Sequence, residues 1–235
     1  MTTAPLAAQH AALRDELCRV GRALYARGYV HASAGNLSVR LAGEDGADDG
    51  FLITPTDACL GTLVPERLAH VGPDGTQRSG ERASKTLALH RRIYASAPEA
   101  RCVLHTHSTH LVALTLAAPG QGVWSAEAVL PPITPYFVMK VGRVPLIPYH
   151  RPGDPAVAER VAAAIAAGRA RGAPIRAVML DRLGPKVWAD SPAAALATLE
   201  ELEETARLWL MTTPRPTPLT EAQLAELAAA FGCPW

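Results

Sequence analysis

The sequence contains no CxxC pair: its cysteines, Cys18, Cys59, Cys102 and Cys233, stand singly and far apart. That spacing argues against a zinc ribbon and supports no disulfide framework, so reduced thiols are the simpler expectation. Charge of one sign is lacking too, because 23 Lys and Arg are set against 22 Asp and Glu. A formal balance of +1 gives no field to gather nucleic acid or an anionic membrane, and any anion site must be built locally. No basic start precedes an apolar core, and no apolar run approaches the roughly 18 residues that span a bilayer, so a cytoplasmic location with no membrane partner is expected. Neither GxGxxG nor the GxxxxGK cradle occurs, which removes the usual dinucleotide and nucleoside-triphosphate readings. There is no internal repeat.

What is present suffices for one large core: 235 residues, 49% of them hydrophobic. Leu13, Leu17, Val20 and Leu24 recur at helical spacing between Leu6 and Arg27, and Gly28 follows where a left-handed cap would end that helix. Leu37, Val39 and Leu41 alternate with Ser38 and Arg40, an acidic Gly-rich turn runs over 43–50, and an extended apolar run resumes over 51–54, which predicts a hairpin. A helix is expected from Ser84, as its cap, to Ala97, ahead of a buried strand at Cys102, Val103 and Leu104. Val144 to Ile147 reads as a strand, Pro155 to Arg171 as an Ala-rich helix, and Ala177–Leu180 with Val187–Ala189 as a second hairpin. A long helix from Pro192 to Met211 precedes a Pro-rich break and a short terminal helix. Without a regular βαβ period, the expected class is α/β with a central, mainly antiparallel mixed sheet and helices on both faces.

The sharpest chemical feature is His105-Thr106-His107. Alternate residues of an extended segment project to one side, so both imidazoles can face a single divalent ion. Taken alone, such a pair is as often a polar strand end. His110, on the following helix, reads as structural. Gly35 and Asn36 close a loop of small residues that can hold a phosphate or can be an ordinary helix-to-strand turn. Thr56, in Thr54-Pro55-Thr56, has the same two readings. Ser84 and Lys85 would welcome an anion at a helix start, or form a plain cap. Tyr136 offers a phenol, although an aromatic in an apolar run is more often core. Glu200, Glu201, Glu203 and Glu204 spread around a helix and read mostly as a solvated face.

In combination, Ala34-Gly35-Asn36-Leu37-Ser38-Val39-Arg40, Ile53-Thr54-Pro55-Thr56, Ser84-Lys85 and His105-Thr106-His107-Ser108-Thr109 resemble the class II aldolase and adducin family in order and spacing. The segments 134–142, 144–154 and 199–206 resemble its 3-oxo-tetronate 4-phosphate decarboxylase branch more than the fuculose or ribulose phosphate aldolases. The resemblance implies a single domain over residues 1–235, with a core of about 10–212 and a helical tail over 213–235. It implies a carbon–carbon lyase acting on a sugar acid or sugar phosphate. It further implies a divalent metal, usually zinc, on His105 and His107, and a homotetramer with sites between subunits. The anion would lie near Gly35, Asn36, Thr56, Ser84 and Lys85, and Tyr136 or Lys85 would protonate the product.

The chain departs from the family at three positions. Leu183 stands where a third histidine ligand is usual, Thr86 replaces the acid/base glutamate, and Asp57 occupies a position that is glycine in the sugar-phosphate aldolases. His31 and His150 are the candidate substitutes for the missing ligand. Loss of carbon dioxide from a 3-oxo acid survives without a base better than retro-aldol cleavage does, so decarboxylation leads. A non-catalytic adducin-like scaffold and an aldolase or dehydratase on another hydroxy-carbonyl compound are the alternatives.

Overall fold

The computed structural model describes residues 5–118 and 120–235, so residues 1–4 and 119 of the expected domain span lie outside the described residues. Among the described residues the α-helices are α1 (Leu6–Ala26), α2 (Leu87–Ser96), α3 (Thr109–Leu116), α4 (Pro135–Lys140), α5 (Ala156–Ala170), α6 (Pro192–Met211) and α7 (Glu221–Phe231). The strands are β1 (Asn36–Ala42), β2 (Asp48–Ile53), β3 (Ala69–Val71), β4 (Gln77–Ser79), β5 (Cys102–His105), β6 (Leu146–Ile147), β7 (Ala177–Leu180) and β8 (Gly184–Ala189). They form one eight-stranded sheet in the order β4-β3-β2-β1-β5-β8-β7-β6. Every pairing is antiparallel except β6 with β7, as the alternating hairpin patterns predict.

Period-two side-chain alternation divides the sheet into two buried faces. Leu37, Val39, Cys102, Leu104 and Val187 join Leu17, Leu24, Leu111, Leu199 and Leu202 in one core, which α1, α3 and α6 cover. Ile53, Val103, Val178 and Trp188 turn the other way and meet Ile93 of α2 and Val161 and Ile165 of α5. Both faces are therefore apolar, and a polar residue on either one is a departure that needs its own partners.

Several sequence expectations shift. The helix expected from Ser84 begins at Leu87, without a side-chain cap, because Ser84 Oγ instead accepts from the Thr86 amide at 3.3 Å in a preceding turn. The strand expected over 144–147 shrinks to Leu146–Ile147. The pair β3 and β4, three residues each, carries too short a pattern to be read from sequence. Among the glutamates of α6, Glu203 leaves the expected solvated face: it is buried, and its carboxylate accepts from the amides of His110 at 2.9 Å and Leu111 at 3.1 Å. It also lies 2.9 Å from His110 Nδ1, which makes the expected structural role of His110 concrete. A carboxylate at the first amides of α3 satisfies donors that a helix start leaves open and sits at the positive end of the helix dipole. Glu203→Ala should lower stability by about 1–3 kcal/mol, the cost of unpairing buried donors. A urea midpoint shift worth less than about 0.5 kcal/mol, the scale of an ordinary surface change, would contradict that role.

Candidate active site

Strand register assembles the site. Asn36 of β1 pairs with His105 of β5, and His105 pairs with Lys186 of β8, so these residues form a row across three central strands on the face that α2 covers. The chain reaches Asn36 through Gly35, whose φ of +84° belongs to the left-handed region. A Cβ at Gly35 would fall 2.8 Å from the His105 carbonyl oxygen, so only glycine lets β1 start so close to β5.

His90 of α2 drops onto this row. Its Nε2 lies 2.6 Å from Asn36 Oδ1 and 2.8 Å from Lys186 Nζ, which in turn lies 3.0 Å from Asn36 Oδ1. On its other side, His90 Nδ1 is 2.7 Å from Ser38 Oγ, and Ser38 Oγ is 2.8 Å from the Tyr94 hydroxyl. Asn36, Ser38, His90, His105 and Lys186 are all buried. Burial holds His90 and His105 well below the usual histidine range, with the nearby Lys186 pushing the same way. Burial also holds the Lys186 amine well below the ordinary lysine value. Lys186, absent from the sequence reading, left one legible signal: a lysine inside the apolar segment Gly184–Ala189.

His105 and His107 come together as expected, with ring centroids 4.9 Å apart. His105 Nδ1 donates to the Pro185 carbonyl at 2.8 Å, leaving Nε2 as a free lone pair. His107 is also held below the usual range, by burial first and then by His31 and Lys186. His31 stands at 6.4 Å, centroid to centroid, from His107. The position of the family's third ligand is filled by Leu183, which packs into the apolar core behind the site. Among the described residues no group of three His, Cys, Asp or Glu side chains is placed to hold a metal ion. His31 therefore does not complete the pair. His150 instead turns its Nδ1 to the Pro148 carbonyl. Two imidazoles beside a buried amine do not fit a fully ligated resident metal.

A cavity opens over this row, lined among others by Lys85, Thr86, His105, His150, Arg151 and Lys186. Of the residues expected to bind an anion, Lys85 faces it, and Ser84 is buried just before. Lys85 Nζ lies 3.3 Å from Asp57, which has a left-handed φ of +56°, a conformation that glycine adopts without strain. Thr56 is tied through its amide to the Arg82 carbonyl at 2.9 Å. Asn36 departs from expectation, since its Oδ1 is engaged by His90 and Lys186 below the cavity. Tyr136 is corrected further: it is neither core nor beside His105, but 56% exposed at the start of α4, near Arg27, Tyr29 and Glu200. As the second residue of α4, directly after Pro135, it turns its ring outward, where an apolar run had suggested burial.

A mixed sheet with helices on both faces and a histidine pair at the end of a central strand defines the class II aldolase type of protein. Residues 15–210 match the Class II Aldolase and Adducin N-terminal domain, and the chain belongs to that family. Its relatives include the 3-oxo-tetronate 4-phosphate decarboxylase of Cupriavidus necator, 55% identical over 95% of this chain and 97% of that one. The 3-oxo-tetronate 4-phosphate decarboxylase of Escherichia coli K12 is 41% identical over 92% and 94%. Among solved structures, YgbL from Escherichia coli superposes with a TM-score of 0.80 at 38% identity, covering 93% of this chain and 98% of that one. The L-fuculose 1-phosphate aldolase of Glaciozyma antarctica, at 23% identity and a TM-score of 0.74 over 97% and 84%, shares the fold. The activities for which the decarboxylase relatives are named are those of carbon–carbon lyases.

Neutral His90, faced by Lys186, His105 and Tyr94, makes stability depend on pH. The unfolded histidine titrates near 6.5, whereas the folded one does so far lower. Between those values the unfolded chain binds the extra proton, so stability is full above about pH 6.5 and falls as the pH drops. His90→Gln should reduce the slope of stability against pH between pH 6.5 and 5 by up to about 1.4 kcal/mol per unit. An unchanged slope in urea titrations would assign the acid sensitivity elsewhere.

Proposed function

We propose that this chain is a carbon–carbon lyase that removes carbon dioxide from a 3-oxo four-carbon sugar acid, with 3-oxo-tetronate 4-phosphate as substrate. The observation that carries the reading is the cavity over the row of Asn36, His105 and Lys186, where Lys85 and Arg151 offer cationic groups to a doubly anionic molecule. The relative from Cupriavidus necator, named for that reaction and matched over nearly its full length, supports it.

The chemistry suits these residues. When the bond from C2 to the carboxyl carbon breaks, the electron pair moves toward the 3-oxo group, so the step requires a polarised ketone and no base. A retro-aldol cleavage must first remove a hydroxyl proton, and Thr86 does not ionise near neutral pH. Decarboxylation is therefore favoured over the aldolase reading. The segment of Gly35, Thr56 and Ser84 together with Lys85 holds the phosphate, and Asn36 positions the row beneath. Lys85 at the cavity wall protonates C2. A zinc ion on His105 and His107 would need substrate or solvent oxygens for the rest of its shell, and no step is assigned to it.

The described chain acts as one domain, since a single sheet and its helices draw on residues from both halves. The reading includes a cytoplasmic homotetramer in which Tyr136 serves a neighbouring subunit's site; exposed Trp124, Tyr136, Met211 and Phe231 are apolar side chains that such contacts would bury. No helix of the described residues is long and apolar enough to cross a membrane.

Purified untagged protein should release carbon dioxide from 3-oxo-tetronate 4-phosphate and leave a hydroxyketone phosphate. Lys85→Ala should lower kcat/KM by about 100-fold or more, the usual scale for a lost proton donor. Aldol cleavage without carbon dioxide would favour the aldolase reading, and no turnover of any such substrate would favour the scaffold.

A further inference from the structure

We propose that Lys186 Nζ is the nucleophile of this enzyme, condensing with the 3-oxo carbon of the substrate to form an imine that accepts the electrons freed by decarboxylation. The proposal rests on the decarboxylase reading above and supplies what that reading lacks, an electron sink built from this chain's own residues.

The geometry of three atoms carries the argument. Asn36 Oδ1, His90 Nε2 and Lys186 Nζ form a triangle with sides of 2.6, 2.8 and 3.0 Å. An ammonium can only donate, so it would require a lone pair on His90 Nε2 and an acceptor at the Asn36 position. Those two atoms, 2.6 Å apart, would then oppose each other as acceptors. Turning the Asn36 amide over merely moves the conflict, because its NH2 would face the ammonium. A neutral amine resolves every contact: His90 Nε2–H donates to Oδ1 and toward the Nζ lone pair, and Nζ donates to Oδ1. The rest of the chain agrees, since His90 Nδ1 then accepts from the Ser38 hydroxyl, which accepts from the Tyr94 hydroxyl. None of these partners is a carboxylate. A desolvated lysine without a counter-charge is the nucleophilic form that carbonyl condensation needs.

Position agrees with protonation state. Lys186 lines the same cavity as His105, Lys85 and Thr86, and in the proposed reaction its buried amine turns from Asn36 and His90 toward a 3-oxo acid bound there. In the proposed sequence, Nζ adds to C3, and the resulting hydroxyl leaves as water with a proton relayed through His90, giving a protonated imine. The C1–C2 bond then breaks, carbon dioxide departs, and its electron pair forms the C2–C3 double bond while the imine pair moves onto nitrogen. C2 takes a proton from Lys85. Water finally hydrolyses the imine, returning the amine and releasing the hydroxyketone phosphate. No oxidant or reductant enters.

Trapping tests this directly. Full-length protein in excess EDTA is treated with sodium borohydride and dihydroxyacetone phosphate, the ketone that decarboxylation leaves, and its peptides are weighed. The expected result is one reduced hydroxyketone phosphate on the peptide bearing Lys186, with irreversible loss of activity. Lys186→Arg, whose guanidinium cannot form an imine, should lose both the adduct and carbon dioxide release. No adduct, or an adduct at Lys85 alone, overturns the proposal even if carbon dioxide is released and metal restores it. Should Lys186→Arg misfold, the site of the adduct on the unaltered chain decides the matter by itself. Carbon dioxide release from 3-oxo-tetronate 4-phosphate is measured in parallel and judges only the underlying reaction.

Discussion

The register of β1, β5 and β8 is the constraint on which the rest depends. Because Asn36 pairs with His105 and His105 with Lys186, their side chains point the same way from adjacent strands. A one-residue slip in either pairing would turn one of them into the opposite apolar core. Gly35 secures the first pairing by permitting close approach to the His105 carbonyl. Gly184 secures the second: with φ of +128°, a Cβ there would lie 2.0 Å from the Thr106 carbonyl oxygen. Two backbone positions that tolerate no side chain therefore hold the chemical row in place.

That row sits in an expensive environment. It shares its sheet face with Val103 and Trp188, beneath Ile93 of α2, all buried, so most of its polar atoms are withdrawn from water. The fold answers with a network in which Asn36 Oδ1, Ser38 Oγ, both ring nitrogens of His90 and Lys186 Nζ find partners in one another or in the Tyr94 hydroxyl. Such a network is rigid, and in a low-dielectric setting its contacts act on a bound carbonyl more strongly than they would in water. The same dryness presses histidine and lysine toward their neutral forms, in which an imidazole can accept a proton and an amine can attack carbon.

The departures from the family belong to one neighbourhood. Thr86 and Leu183 line the cavity together with His105 and Lys186, and Asp57 is answered by Lys85 at its edge. With threonine and leucine at these two positions, the site sets the imidazoles of His105 and His107 beside the buried nitrogens of His90 and Lys186. The paired histidines remain, but beside a lysine amine rather than within a complete coordination shell.

Local chemistry written into the sequence determined much: the helical periods of α1 and α6, the hairpins β1–β2 and β7–β8, the mainly antiparallel sheet, and the juxtaposition of His105 and His107 two residues apart. These follow from spacing within one segment, which periodicity reports directly. Only the tertiary structure decided that Glu203 of α6 caps α3, that Tyr136 faces away from the cavity, and that Asn36, His90 and Lys186 meet. The last contact joins residues 150 positions apart, and no short-range pattern encodes a meeting set by strand order and helix placement. A lysine among apolar strand residues announces only that something must compensate it; the partner that does so is chosen by the fold.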